Sequence, residues 1–519
     1  MNKILEDYFN EYLKINPDIG SFLQYKKYNN KYNNITLDNH IDLLNSYNKK
    51  INKYNNIYAK IFKYYIKHEI ELNKYDLYID LNPYDNPILE YIQLCKGNGY
   101  YKLKTKKDFL DFINKTNDFC NYLDDSIENM LELQENNISL PIFVCNLLIN
   151  QIDNVINNKL YLPDVNIPSS IKNYYVNFMN TLFKNKLIEI NKILKNEYLP
   201  KCNNKIGIYN YKNGIEYYSK LIKYTSSFNI TPKQIHNLGI KEVNRIQNEI
   251  IQFKNINFPK LNKLNLLQFF DYMRKNKDYK FNSKKELMNY INKKQKIVEN
   301  NYKKYFNETI NHKVKIKKVS SYNEKVSSLG LLEIPSYNYK KPSIYYINTY
   351  LYDKIKLYDI LPLTLHESIP GHHFQMTYHI EQKIPKFMLY CLDNTAYIEG
   401  WALYAETLYP YENIYEIYSK LNYELSRAIR LVLDTGINCY KWSYNKSFNY
   451  YKNNSSLSKK EIENELLRFI CNPTQALNYK LGEIFFKKYV SKFDNIKVAH
   501  TNILKNGPIP LCFLDNTSA

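Results

Sequence analysis

The spacing of hydrophobic residues along most of the chain predicts helices. Near the start, Leu5, Phe9 and Leu13 recur every four residues, and the pattern stops at Asn16. This spacing and its abrupt end are typical of an amphipathic helix. From Leu361 onward helical spacing dominates again. The pattern therefore predicts a mainly α-helical protein.

Two helix starts are marked by polar residues as well as by spacing. Thr105 and Asp108 are separated as in a capping box, and they precede a long helical pattern. Thr231 suits an N-cap, Pro232 suits the first helical position, and Gln234 comes three residues after the cap. Long helices are predicted from both points.

Strand signals are few, and the strongest is the segment KPSIYYINTY, which begins at Lys341. It is aromatic and β-branched, and Pro342 bounds it. We expect a small β element here, an edge strand beside the candidate active-site helix. An extended peptide could add to such a strand through backbone hydrogen bonds.

Composition narrows the class of protein. The chain has 519 residues, 44% of them hydrophobic, so it can bury a large core. No internal repeat or long linker divides it, and we expect one unit over 1–519, with lobes at 1–200 and 201–519 as the alternative description. No apolar run of about 18 residues is present, so no membrane partner is expected.

The net charge of +21 raises the question of a nucleic-acid partner. The basic residues are spread along the chain among Asn, Tyr and Ile, without a concentrated basic arm. No nucleic-acid partner is therefore expected. The eight cysteines form no C-x-x-C pair and are too sparse for a disulfide scaffold. They favour a reducing compartment, and with no secretory signal at the start we expect a cytoplasmic protein.

Candidate chemistry is concentrated in LTLHESIPGHHFQ. Four of the nine histidines, His366, His372, His373 and His379, fall within fourteen residues. The segment begins as the H-E-x-x-H helix of zinc hydrolases begins, with a histidine followed by a glutamate. A zinc hydrolase needs two or three nitrogen or carboxylate ligands and a further carboxylate that accepts a proton from water.

The spacing of these histidines does not suit a straight helix. His372 follows His366 by six residues, which is about 600° of rotation and roughly 9 Å of rise. Pro370 lacks the N–H that would continue the helix, and Gly371 allows unusual backbone angles. We therefore expect a kink or bulge that absorbs two residues and brings the histidines together.

With such a kink, His366 and His372 would be zinc ligands and Glu367 the general base. Whether His373 replaces His372 stays open at this point. The alternative is a helix that ends at Pro370 with histidines that only cap it.

A third ligand is expected from YIEGWALYAE. Glu399 and Glu406 are seven residues apart, on nearly the same face of a helix that is otherwise apolar. A buried carboxylate needs a partner, and zinc would supply one. Glu399 is the predicted ligand. Glu406 is predicted to orient a histidine, or else to lie on a solvated edge.

Four ordered motifs, HESIPGHHFQ, EGWALYAE, SRAIRLVLDTGI and NPTQALNYKLGE, resemble the domain of unknown function 885 family, over residues 105–515 approximately. Its members look like multi-helical zinc metallopeptidases of the gluzincin kind, with two histidines and a glutamate as ligands. The resemblance implies such a fold with a central cleft, and it supports His366, Glu367, His372 and Glu399 in the roles given above.

The sequence also predicts a partner or a role for five further residues. Arg430 is expected to pair with Asp434, or to hold a substrate carboxylate. Tyr479, in the last motif, is a candidate for stabilising the oxyanion. The family tends to have histidine where this chain has Asn438. If that histidine stabilises an oxyanion, asparagine in its place would reduce activity or alter specificity here. His500 is expected to be structural.

These residues predict one Zn²⁺ per chain and a metallopeptidase that cleaves short peptides. The alternatives are a zinc hydrolase of another amide or ester and a catalytically weak relative that binds peptide. The expected partner is a peptide or small amide substrate, and the oligomeric state is not predicted.

Overall fold

The computed structural model of the protein describes residues 1–514 except 35, 76, 321–323, 325–327 and 351. It divides into two compact units: Met1–Tyr217 with Ile470–Asn472, and Tyr218–Phe469 with Pro473–Ala519. Helices dominate, and the described residues contain a single three-stranded sheet. The predicted mainly α class is confirmed. The expectation of one functional unit, with lobes at 1–200 and 201–519, stays a prediction.

The first helix of the first unit ends where the sequence predicts. The repeat of Leu5, Phe9 and Leu13 is buried in the first helix, which ends before Asn16. The helices are α1 Asn2–Ile15, α2 Pro17–Phe22, α3 Leu37–Ile51, α4 Ile57–Leu72, α5 Pro87–Cys95, α6 Lys106–Glu135, α7 Ile142–Asn157, α8 Ser169–Phe178 and α9 Lys184–Ile193.

From residue 214 onward the helices include those that carry the candidate chemistry. They are α10 Gly214–Ser226, α11 Pro232–Asn257, α12 Leu266–Lys275, α13 Lys284–Asn301, α14 Ile360–Glu367, α15 His372–Glu381, α16 Lys386–Tyr390, α17 Thr395–Ala405, α18 Ile414–Asn438, α19 Tyr444–Asn454, α20 Lys459–Cys471, α21 Leu477–Val490 and α22 Ile496–Leu504.

Both predicted capping boxes are confirmed. The Thr105 hydroxyl accepts from the Asp108 amide, and the Asp108 carboxylate accepts from the Thr105 amide at the start of α6. Thr231 and Gln234 make the same reciprocal pair at the start of α11. Each pair satisfies helix N–H groups that would otherwise lack an acceptor.

The sheet consists of β1 Lys315–Lys318, β2 Gly330–Glu333 and β3 Ile344–Ile347, in the order β1-β3-β2. β3 is parallel to β1 and antiparallel to β2. The predicted strand exists, but its assignment as an edge strand is wrong, since β3 is central. Ile344, Tyr345 and Ile347 are buried, as suits a strand with neighbours on both sides. β2 forms the edge that borders the candidate site.

Close helix packing brings two of the candidate residues together. α17 and α21 touch at Gly400 and Gly482, where a Cβ on Gly400 would lie 2.4 Å from the Gly482 Cα. Glycine at both positions allows this approach because a side chain would collide with the opposite backbone. Glu399 on α17 and Tyr479 on α21 consequently line one cavity.

Candidate metal centre

The H-E pair ends one helix and the H-H pair begins the next, with Pro370 and Gly371 in the connection, where a single kinked helix was expected. α14 ends at Glu367 and α15 begins at His372. Ser368 leaves the helical conformation with φ −112° and ψ −103°, and the Ile369–Pro370 peptide bond is cis. The expectation of a kink in one helix is therefore wrong in detail, although the break falls where Pro370 predicts it.

The connection between the two helices depends on Gly371. A Cβ at this position would lie 1.9 Å from the carbonyl oxygen of His366 and 2.4 Å from that of Leu365. Only glycine allows α15 to begin directly against the end of α14. The indole N–H of Trp401 donates to the Pro370 carbonyl at 2.8 Å, which ties the connection to α17.

The break brings three predicted ligands together. The His366 and His372 rings have centroids 4.8 Å apart and are nearly perpendicular, at 88°. Glu399 Oε2 lies 3.5 Å from His366 Nε2 and 3.3 Å from His372 Nε2. Donors held at about 2 Å by a tetrahedral zinc are roughly 3.3 Å from one another. The donor set and its spacing therefore fit a zinc ion.

The adjacent histidines have different environments. His372 belongs to the group of three potential metal ligands. His373 is fully buried, and its Nδ1 lies 3.1 Å from the Thr377 hydroxyl. Burial lowers the pKa of His373 to about 4 and that of His379 to about 3. The geometry thus favours His372 as the second histidine ligand, with His373 and His379 as neutral core residues.

Glu406 contacts the candidate site through His366. Its Oε1 lies 2.9 Å from His366 Nδ1, and the side chain is buried. The alternative position on a solvated edge is wrong. A carboxylate that accepts from Nδ1–H holds the ring orientation and leaves Nε2 free for a metal. Arg427 approaches the same carboxylate at 3.8 Å.

Contacts between histidines and carboxylates shift the pKa values of His366 and Glu399 in this site. Burial lowers the pKa of His366, but its contacts with Glu399 and Glu406 outweigh burial and raise it to about 9. Burial also opposes ionisation of Glu399, but the two histidines hold the pKa of that carboxyl well below its usual range. Two imidazoles surrounded by carboxylates attract a cation, and a divalent metal would replace the proton.

The Glu367 side chain is buried beside the candidate ligands. It follows His366 directly, is 8% exposed, and lines the same cavity as the three ligands. Burial raises the pKa of its carboxyl. A raised pKa increases the basicity of the carboxylate toward water.

Tyr479 also faces the cavity, next to the ligands. Its ring stacks nearly parallel to the His366 ring with centroids 6.3 Å apart. Its hydroxyl accepts from Arg468 at 2.9 Å. Burial raises the pKa of Tyr479, so the hydroxyl keeps its proton. Sequence reasoning missed Arg468, although a cation in the apolar run ELLRFIC is the signal that identified Arg430.

Arg430 has another partner than the one predicted. Its guanidinium makes two contacts with Glu465, at 2.8 and 3.1 Å. The predicted pair with Asp434 is wrong, because Glu465 on α20 offers a bidentate contact. Asp434 accepts from the Tyr218 hydroxyl at 2.6 Å. Arg430 lies over the Tyr479 ring, 4.7 Å from its centre, so the guanidinium packs against the face of that ring.

Asn438 and His500 are core residues. The Asn438 amide donates to the carbonyls of Asp434 and Phe469, at 3.1 and 3.0 Å. His500 contacts the Tyr404 hydroxyl and the Tyr305 carbonyl, both at 2.8 Å, which agrees with a structural role. Neither residue is among those that line the cavity beside the ligands.

The cavity beside the ligands has a volume of about 350 Å³. Part of its wall comes from the edge strand β2, a contribution that sequence reasoning missed because the strand order was not predictable. Its remaining lining residues are Ser328, Gly330, Leu331, Leu332, Ile334, Gln375, Met376 and Ile398.

Comparison with known protein families gives a match over most of the chain. The model of the family described as "Bacterial protein of unknown function (DUF885)" matches residues 32–517. No curated protein matches the chain. None of the described helices is long and apolar enough to cross a membrane.

Two solved structures share the fold. One is the crystal structure of a putative lipoprotein from Colwellia psychrerythraea, with a TM-score of 0.87 and 21% identity, covering 99% of this chain and 97% of that one. The other is a putative lipoprotein of unknown function from Shewanella oneidensis, with a TM-score of 0.74 and 14% identity, covering 99% and 98%. At these identities the likeness concerns the fold alone.

Proposed function

We propose that this chain, which belongs to the bacterial family of unknown function DUF885, is a zinc-dependent hydrolase that cleaves short peptides. The observation that carries the proposal is the convergence of His366, His372 and Glu399 on one point, with Glu367 beside them. Their donor types and separations suit zinc, and the fourth position is left for water.

Each residue has a defined task in this proposal. His366, His372 and Glu399 hold the ion, which when bound supplies a Lewis acid and lowers the pKa of water. Glu367 takes a proton from the attacking water and returns it to the leaving nitrogen. Glu406 keeps the His366 ring in place. Tyr479 presents its hydroxyl toward the charge that develops on the carbonyl oxygen.

Turnover of peptides by the zinc-loaded protein tests this proposal. Wild-type protein should cleave members of a mixed peptide library, and Glu367→Gln should lower the rate by about 100-fold or more while it retains zinc. Glu412→Gln is the matched control, because Glu412 is exposed and lies outside the cavity. Zinc content without cleavage by the wild type would count against the peptidase.

Chelation separates a catalytic ion from a passive one. Removal of zinc with a chelator should abolish cleavage, and added zinc should restore it. Cleavage that survives complete removal of the metal would contradict the proposed mechanism.

A zinc hydrolase of another amide or ester would use the same residues, and a library of amides and esters assayed beside the peptides distinguishes the two. The alternative of a catalytically weak relative was based on Asn438. That side chain donates hydrogen bonds to backbone carbonyls in the core and does not line the cavity, so it gives this alternative little support. The proposal includes a cytoplasmic location. All eight cysteines are free, as is typical of a reducing compartment.

A further inference from the structure

Gln375 is a buried polar side chain in the cavity that holds the three candidate ligands. It follows His372 by three residues on α15, so the two side chains lie on neighbouring positions of one helical face. Gln375 is 2% exposed and lines the cavity. Its Nε2 is buried and has no hydrogen-bond partner among the described residues. A buried donor without an acceptor is costly to the folded state.

The rest of the cavity wall is suited to an aliphatic group. Its apolar part consists of Leu331, Leu332, Ile334, Met376 and Ile398. Among the described lining residues there is no lysine or arginine, and the charged or titratable ones are the ligands and Glu367, apart from the weakly acidic Tyr479. A free carboxylate placed against this apolar part of the wall would lose its hydration without a lysine or arginine to pair with among the described lining residues, which is unfavourable.

We infer that Gln375 is a positioning residue that donates a hydrogen bond to a main-chain carbonyl of an uncharged peptide segment, whose aliphatic side chain fills this cavity. This inference rests on the proposed function of the site. It names the substrate class as peptides with a residue such as leucine near the scissile bond and without a free terminal carboxylate beside that residue.

The inference predicts opposite effects on stability and on binding. Leucine has nearly the volume of glutamine and removes the unpaired amide, so Gln375→Leu should leave Tm unchanged or raise it. The same substitution removes the donor and should weaken peptide binding about fivefold to tenfold. A residue with a merely structural role would instead lower Tm and leave binding of peptide to the folded protein unchanged.

Binding can be measured without turnover in zinc-loaded Glu367→Gln protein. The probe is a fluorescent six-residue peptide with a central leucine and with both ends blocked, and its Kd is measured by anisotropy. Gln375→Leu is introduced into this background and compared with Gln382→Leu. Gln382 is exposed at the end of the same helix and does not line the cavity. Zinc content is measured for every variant.

We expect weaker binding with Gln375→Leu only, with unchanged zinc content. We also expect weaker binding when aspartate replaces the central leucine, or when a shortened peptide ends in a free carboxylate at that leucine. Equal Kd values for Gln375→Leu and Gln382→Leu, preference for the free carboxylate, or no binding of the blocked peptide would each overturn the inference.

These outcomes are separable from failure of the proposed function. Wild-type protein that binds zinc and the blocked peptide but never cleaves it would defeat the peptidase and leave the role of Gln375 standing. Cleavage that is indifferent to Gln375 would defeat the inference alone.

Discussion

His372 and His373 are adjacent, yet their side chains have different surroundings, and substitution should separate their roles. His372→Ala removes a ligand and should lower zinc affinity by about 100-fold or more, with little loss of stability, because the side chain borders the cavity. His373→Ala should retain one zinc but lower the free energy of unfolding by about 1–3 kcal/mol, because His373 is fully buried. Zinc titration and thermal unfolding of both variants measure these effects. Loss of zinc from His373→Ala alone would reverse the assignment.

Glu406 offers a second test at the scale of one residue. Its contact with His366 Nδ1, at 2.9 Å, should hold that ring in the orientation that binds the metal. Glu406→Gln is expected to lower zinc affinity about 10-fold to 100-fold, as is typical for carboxylates that orient a histidine ligand. Competition with a fluorescent chelator gives the affinity, and Glu412→Gln is the control. Unchanged affinity would show that the contact is dispensable.

At the scale of elements, the break between α14 and α15 creates the candidate site. Gly371→Ala would place a Cβ 1.9 Å from the His366 carbonyl oxygen, so the two helices would have to separate. We expect a loss of about 3 kcal/mol or more of stability and much weaker zinc binding. Gly99→Ala is the matched control, because a Cβ at Gly99 has no neighbour within 4 Å. Normal zinc binding by Gly371→Ala would contradict the proposed role of the connection.

Local signals were sufficient to predict several elements and to select the three candidate ligands that the structure brings together. The capping residues Thr105 and Thr231 act within one helical turn, so each can be recognised from a few neighbouring residues. Pro370 lacks the N–H that a continuous helix needs, so it marks the interruption between His366 and His372. Contacts between distant segments could not be predicted in this way. Arg430 pairs with Glu465, 35 residues away, and β3 is central because β1 and β2 pair with it. No pattern within either segment specifies those neighbours.

For Gln375, the position could be predicted from local spacing, but its environment depends on distant segments. Its spacing from His372 places it on the same helical face, so its position near the ligands could have been predicted. Its unpaired amide could not, because that depends on side chains from β2 and α17 that complete the cavity.

At the scale of the whole molecule, the pH dependence of stability should reveal a buried carboxyl in the helical core. Burial raises the pKa of Asp434 to about 7, although the Tyr218 hydroxyl and the Thr474 amide donate to it. An unfolded aspartate has a pKa of about 3.9. Between these values the folded protein binds a proton that the unfolded chain has lost. Stability should therefore fall as pH rises from about 4 to 7, by roughly 4 kcal/mol from this group.

Asp434→Asn removes that titration and keeps an acceptor for Tyr218. The difference in Tm between the variant and the wild type should move in favour of the variant from pH 5 to pH 8. Thermal unfolding at both values measures it, and an identical pH dependence of the two proteins would contradict the raised pKa.

The central claim for the whole molecule is that it holds one zinc ion between α14, α15 and α17. Anomalous diffraction at the zinc absorption edge, from crystals of protein loaded with zinc, tests that claim most directly. The predicted result is one strong peak per chain about 2 Å from His366 Nε2, His372 Nε2 and a Glu399 oxygen. Absence of a peak at this position, or a peak beside His373 instead, would contradict it.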